Sequence, residues 1–327
     1  MPALECSSSA ASRPVSAPGQ WAKFCGTALC AVVVWGCAAS VGGAGPRVGR
    51  VALRRVEVAT VPVERAALRE VAGVDPDRVA LAVGFPDHFD AGREHPILIS
   101  QVTADRYRSN VAALSAYAPA ALEQGYVVLT AQGVPWPAKQ EDDTLLHRYV
   151  TVRAALRWLA SEIPQSERWP IVMAGFSGGA KVSQVLAVSL LLEERWVAGV
   201  LLGGCNEDHS RVLLATYPAV KDRFSEVAFF LSAGEDDRIA PPAAVRSVAE
   251  HLRGSGVKRL ELSVHHGGHR LDARDLRRAL RWFKAQMLVP ARPDASRLVA
   301  GQRLFLARAG ELPFVEAVDQ RSPGDAE

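Results

Sequence analysis

The stretch "WPIVMAGFSGGAKVSQVLAVSLLLEE", residues 169–194, decides how this chain is read. An apolar run stops at Ser177, which stands among Gly175, Gly178 and Gly179, and a long amphipathic segment follows at once. A short apolar run bounded by glycines predicts a buried strand over 170–175 that turns directly into a helix. One explanation is a tight turn that happens to contain a serine. The other is a nucleophile elbow, in which Gly-x-Ser-x-Gly joins strand to helix and presents the hydroxyl at the turn. Gly175 and Gly179 then remove side chains that would collide as strand and helix close on each other, and the turn forces Ser177 into a sparsely allowed conformation. The helix beginning there aims unpaired N–H groups and its positive end at the same spot. The motif alone is weak. Its strand-to-helix setting gives it weight.

Working outward, strands and helices alternate. Upstream, "RVGRVALRRVEVATV" and "RVALAVGF" show partial period-two alternation and read as antiparallel opening strands. "PILISQ", residues 96–101, is a continuous apolar run of buried-strand type. A helix over 109–123, a strand over 126–131 and a helix over 144–161 lead to the elbow. Downstream come a strand over 196–203, a short helix near 211–217, a strand over 227–233 and a helix over 243–252. A strand at "LELSVH" and a helix over 272–285 complete the body. This order predicts an α/β architecture: a mostly parallel central sheet with helices on both faces and crossover connections. Between residues 203 and 227 there is room for one helix and none for a cap domain.

Composition sets outer limits. The chain has 327 residues, 49% of them hydrophobic and 22% charged, which is ample material for a large core. The net charge of +3 is interleaved along the chain without a basic block, so nothing points to nucleic acid. Four of the five cysteines precede residue 40, which excludes a disulfide scaffold in the body, and no Cys/His spacing suggests a metal site. Cys205 reads as a buried small apolar group.

Three segments follow. Residues 1–45 read as an export signal and spacer: Arg13 and Lys23 precede the apolar run "FCGTALCAVVVWG", and small residues come after it. The expected destination is the periplasm or the exterior. "VWGC" is similar to a bacterial lipobox, which marks Cys37 for lipidation and a membrane anchor; cleavage after Ala39 or Ala44 with release is the competing outcome. Residues 46–288 form the folded body. Residues 289–327, rich in proline and polar groups, read as a partly disordered extension.

A serine hydroxyl needs a base, and the base needs an orienting carboxylate. In an open α/β sheet the site forms at the carboxyl ends of strands. After the strand over 227–233 comes "GEDDRIAPP", with Glu235, Asp236 and Asp237; after "LELSVH" comes "HGGHR", with His266 and His269. The order is serine, acid, histidine.

"GFSGG", "GEDDRIAP" and "HGGH" resemble the nucleophile, acid and histidine segments of the α/β-hydrolase fold. The spacing typical of that family, Gly-x-x-Asp-x-x-x-Pro, selects Asp237 through Gly234 and Pro241, and the Gly-Gly pair selects His269. The opening "RVALAVGFPDHFDAGREHPILIS" is similar to esterases of the polyhydroxybutyrate-depolymerase and phospholipase/carboxylesterase type. The resemblance covers about residues 80–286. It implies an esterase with nucleophile Ser177, base His269 and orienting acid Asp237, acting on a small or polymeric ester without metal or organic cofactor. Such esterases usually carry His-Gly after the third strand, where a backbone amide completes the oxyanion hole. Here the sequence reads "ISQVTADRY", so the amide of Gly178 is joined by that of Gln101 or Val102. A peptidase of the same fold and a non-catalytic exported binding protein are the rival readings.

Overall fold

The computed structural model describes residues 56–62, 78–103, 109–133 and 145–288. The expected export signal with Cys37, and the expected extension from residue 289, lie outside the described residues. All described residues fall within one compact unit.

Eight strands form one sheet in the order β1-β2-β4-β3-β5-β6-β7-β8. β1 (Val56–Pro62) pairs antiparallel with β2 (Arg78–Gly84), and β2 pairs antiparallel with β4 (Val127–Gly133). From there every pairing is parallel: β4 with β3 (Ile97–Gln101), β3 with β5 (Ile171–Phe176), then β6 (Val197–Gly203), β7 (Ala228–Gly234) and β8 (Arg259–His265). The continuous apolar runs β3, β5, β6 and β7 are parallel strands buried almost throughout. The antiparallel β2 is also covered on both faces, with Val79, Leu81 and Val83 in one core and Ala82 in the other.

Successive residues of β5 serve different cores. Ile171 and Met173 pack on one face with α2 (Leu145–Glu162) and α3 (Gly178–Leu192); Val172 and Ala174 pack on the other with α1 (Asn110–Glu123) and α7 (Ala273–Met287). The last helix shows why its sequence folds as it does. Asp272 caps it by accepting from the amides of Arg274 and Asp275, and Leu276, Ala279, Leu280 and Phe283 form one buried stripe at helical spacing. Burying Phe283 alone is worth about 2–3 kcal/mol. α3 is apolar nearly all round because it lies between the sheet, α2 and the short helices that follow β6. Its far end closes with Glu194 at φ 60, where the amides of Glu194 and Arg195 return to the carbonyls of Leu191 and Leu190. The Glu193 carboxylate there receives the Tyr149 hydroxyl and, at 2.7 Å, the Arg153 guanidinium, which ties α3 to α2.

The single helix expected between β6 and β7 is two: α4 (Ser210–Thr216) and α5 (Lys221–Ser225). Pro218 separates them, since it disfavours helical geometry at Tyr217, whose φ and ψ are −126° and 67°. α6 (Pro242–Gly254) links β7 to β8.

Candidate active site

Ser177 sits between β5 and α3 with φ 56° and ψ −127°. This is the positive-φ region that a residue with a Cβ occupies only at a cost of order 1–3 kcal/mol. The packing enforces it. A methyl group on Gly175 would stand 2.1 Å from the Gly179 carbonyl oxygen, so strand and helix meet where only glycine fits. The Ser177 amide donates to the Gly203 carbonyl at 2.8 Å, which fastens the turn to β6. Ser177 occupies the helix N-cap, yet its hydroxyl makes no capping hydrogen bond. A serine in that position normally spends its oxygen on the N2 or N3 amide. This one keeps it for other partners.

Asp237 and His269 meet across the ends of β7 and β8. The His269 Nδ1 lies 2.7 Å from Asp237 Oδ2. The second oxygen, Oδ1, accepts from the amides of Ile239 at 2.9 Å and Ala240 at 2.8 Å. Both halves of the carboxylate are therefore committed, and Asp237 is 3% exposed. Burial works against its ionised form, but the Ala240 amide, His269 and the Ile239 amide outweigh that and hold its carboxyl below the ordinary range. Asp236 and Glu235 are exposed. Capping of α6 falls to neither Asp236 nor Asp237, because Pro241 stands at that position.

The two loops are pinned together. The Glu235 amide donates to the His265 carbonyl at 2.8 Å and the Asp236 amide to the Gly267 carbonyl at 3.0 Å. Gly234 permits this, since a methyl there would lie 2.4 Å from the Gly268 carbonyl oxygen. The imidazole is brought over the elbow by Phe176, whose ring centroid lies 4.6 Å from that of His269. On the other side, a methyl on Gly204 would fall 3.1 Å from His269 Cε1. Phe176 precedes Ser177, and Gly204 follows the residue that accepts from the Ser177 amide, so both neighbours of the imidazole adjoin the elbow.

His265 ends β8, and His266 is exposed and paired with Glu235. Cys205 is fully buried. Burial pushes its thiol up to about 11, against the hydrogen bond it makes to the Glu207 backbone. It remains protonated at neutral pH, a small buried group as the sequence suggests.

The loop after β3 lies on the start of α3. Gln101 is the last residue of β3, in register with Gly175, and a methyl on Gly179 would sit 2.3 Å from the Gln101 carbonyl oxygen. The Val102 amide is not available as an oxyanion donor, because it already donates to Asn110 Oδ1 at 2.9 Å. Sequence reasoning missed Asn110, Phe176 and Gly204 as parts of this site. Only the doubled glycine in "GGCNED" signalled a close approach there.

No protein-family model matches the chain, and no curated protein does. Among solved structures, a bacterial heroin esterase superposes with a TM-score of 0.50 at 16% identity, over 73% of this chain and 86% of that one. An α/β serine hydrolase without a lid from Xanthomonas campestris shares 19% identity over 73% and 97% of the two chains, with a TM-score of 0.48. A hyperthermophilic esterase from the archaeon Pyrobaculum calidifontis shares 16% identity over 73% and 85%, with a TM-score of 0.46. The sheet order, the strand–serine–helix turn and the superposition on the heroin esterase identify the fold of this chain as that of the α/β-hydrolases.

Proposed function

We propose that the protein is a serine hydrolase that cleaves carboxylic esters through an acyl-enzyme on Ser177. The observation that carries this reading is a strained N-cap serine with no capping bond, in an elbow whose Phe176 packs on an imidazole that is held at Nδ1 by a buried carboxylate. Ser177 Oγ attacks the ester carbonyl carbon. Its proton passes to His269 Nε2, and the carbonyl π electrons move onto oxygen. Asp237 holds Nδ1 protonated, so that Nε2 is the free base, and stabilises the imidazolium that forms. The intermediate collapses, the C–O bond to the alcohol breaks, and His269 returns the proton to the leaving oxygen. Water then repeats the sequence on the acyl-enzyme. A heroin esterase shares this fold, which supports the substrate class, and the two short helices between β6 and β7 leave no cap inserted there to exclude a bulky or polymeric ester.

The test is a fluorophosphonate probe followed by p-nitrophenyl esters of increasing chain length. We expect one stoichiometric label on the Ser177 peptide and turnover that the label abolishes. A protein that neither labels nor hydrolyses would be a binding protein on a hydrolase scaffold.

The proposal extends to location. Residues 1–45 direct export, with lipidation at Cys37 tethering the enzyme or cleavage after Ala39 or Ala44 releasing it. Mass spectrometry of the mature N-terminus separates these outcomes: a diacylglyceryl mass on Cys37 means tethering, an unmodified start beyond Cys37 means release. An intact Met1 on cytosolic protein would refute export.

A further inference from the structure

We infer that Arg148, buried in the first turns of α2, is a positioning residue that fixes the Thr103 amide as the second oxyanion donor, opposite Gly178. The inference rests on the hydrolase reading above. It starts from an oddity: a guanidinium that is 2% exposed spends its donors on two consecutive backbone carbonyls. Nη1 donates to the Val102 oxygen and Nη2 to the Thr103 oxygen, the latter at 3.2 Å.

In an extended strand, consecutive carbonyls point to opposite sides. One planar fork cannot reach both unless the chain has turned out of strand geometry at Val102 and Thr103. The two carbonyls then face Arg148 together. In a trans peptide the N–H points opposite to its own C=O. The carbonyl of Val102 and the amide of Thr103 belong to one peptide, so holding the first toward Arg148 turns the second away from it. Consecutive peptides turned this way make an anion-binding concavity.

That concavity adjoins the elbow. A methyl on Gly178 would lie 2.7 Å from Thr103 Cγ2 and 3.1 Å from its Oγ1, so Thr103 stands against the first residue of α3. The Gly178 amide, in the first helical turn, has no helical acceptor. Of the two neighbouring candidates, the Val102 amide is held by Asn110, whose Nδ2 in turn donates to the Ala131 carbonyl at 3.0 Å, and Gln101 lies within β3, in register with Gly175, before the chain turns. Asn110 and Arg148 thus grip the Val102 residue from its amide and its carbonyl, and Thr103 follows with its amide directed away. The cationic donor also polarises the peptide it binds, which strengthens the opposite N–H as a donor.

The test compares Arg148→Met, Arg148→Lys and Thr103→Pro with the parent, with rates normalised to the fraction of sites that label. Thr103→Pro deletes the N–H itself and leaves Arg148 in place. Losing an oxyanion donor lowers kcat on the order of 10²–10³-fold; we expect Thr103→Pro in that range and Arg148→Met down by roughly 10–100-fold, with KM within about threefold. Affinity for an alkylboronic acid, which forms a tetrahedral anionic adduct with serine, should fall in proportion to kcat. Arg148→Lys, a point charge that reaches one carbonyl, should recover part of the loss. A purely structural role would lower melting temperature and the labelled fraction while leaving the rate per labelled site and the boronate affinity unchanged. If Arg148→Met does not fold, Thr103→Pro decides alone. An active, Ser177-dependent parent whose folded variants keep its rate overturns this assignment only; a parent with neither labelling nor hydrolysis overturns the hydrolase reading and this assignment with it.

Discussion

Ser177→Ala should abolish ester hydrolysis, with kcat falling by three orders of magnitude or more, while the melting temperature stays close to that of the parent. Both halves follow from the site. The hydroxyl makes no capping bond, so removing it takes away no folding interaction. Alanine keeps the Cβ and therefore keeps the strain of φ 56°. Ser177→Gly separates the two: it should be equally inactive but more stable. Strain of order 1–3 kcal/mol is relieved, and the extra entropy of glycine in the unfolded chain offsets about 0.5–1 kcal/mol of it. A net gain of about 1 kcal/mol corresponds to a few degrees in melting temperature for a domain of this size. Parent-like turnover by the alanine variant would remove Ser177 from the mechanism. A glycine variant less stable than the alanine variant would show that the turn is not strained.

The second large effect is expected at Asp237. In Asp237→Asn the single remaining side-chain oxygen stays with the amides of Ile239 and Ala240, because those two donors lie at 2.9 and 2.8 Å and need an acceptor. The new NH₂ then faces His269 Nδ1, which must become an acceptor. The imidazole proton moves to Nε2, and the base that Ser177 requires is gone. The rate should fall by about 10⁴-fold, whereas Asp236→Asn, at an exposed carboxylate, should change it little. Steady-state kinetics with equal, small effects at both positions would contradict this. The same residue gives a pH signature. Its folded pKa lies below the unfolded value, so the unfolded chain binds the proton more readily. The stabilisation is present above the unfolded pKa of about 4 and is lost as pH falls through the folded value. Urea unfolding of the parent should lose stability below about pH 4 more steeply than that of Asp237→Asn.

Much of this was legible in the sequence because it is local. Four of the parallel strands are near-continuous apolar runs of five to seven residues, the helices between them are marked by length and turn residues, and the resemblance placed Asp237 within its turn through Gly234 and Pro241. Gly234 could be recognised before its reason was visible, namely that the histidine loop crosses over it. The oxyanion loop was not legible. Its donor is a backbone amide, its restraints are Asn110 and Arg148 acting on backbone atoms, and both come from helices flanking the next strand. Side-chain identity at 101–103 therefore carries no signal of which amide donates, and the choice between Gln101 and Val102 had nothing in the residues to decide it. Val102 was excluded only by a hydrogen bond to a residue eight positions on. The break at Pro218 was legible in principle, since proline marks it, but the short helices on either side carry too few residues for a periodic signal.

The parallel order of β3 to β8 also governs when this chemistry can arise. Each parallel pairing closes a crossover before any contact rewards it, so such sheets assemble slowly. The unit β7-α6-β8 brings Asp237 and His269 together on its own, 32 residues apart in the chain. The serine belongs to β5 and α3 and reaches that pair only through β6, which pairs with both β5 and β7. The elbow and the imidazole–carboxylate pair are therefore built on separate strands of one sheet, with β6 alone spanning the gap between them. On the proposed mechanism, the reactive arrangement is complete only once β5, β6 and β7 are joined in that sheet.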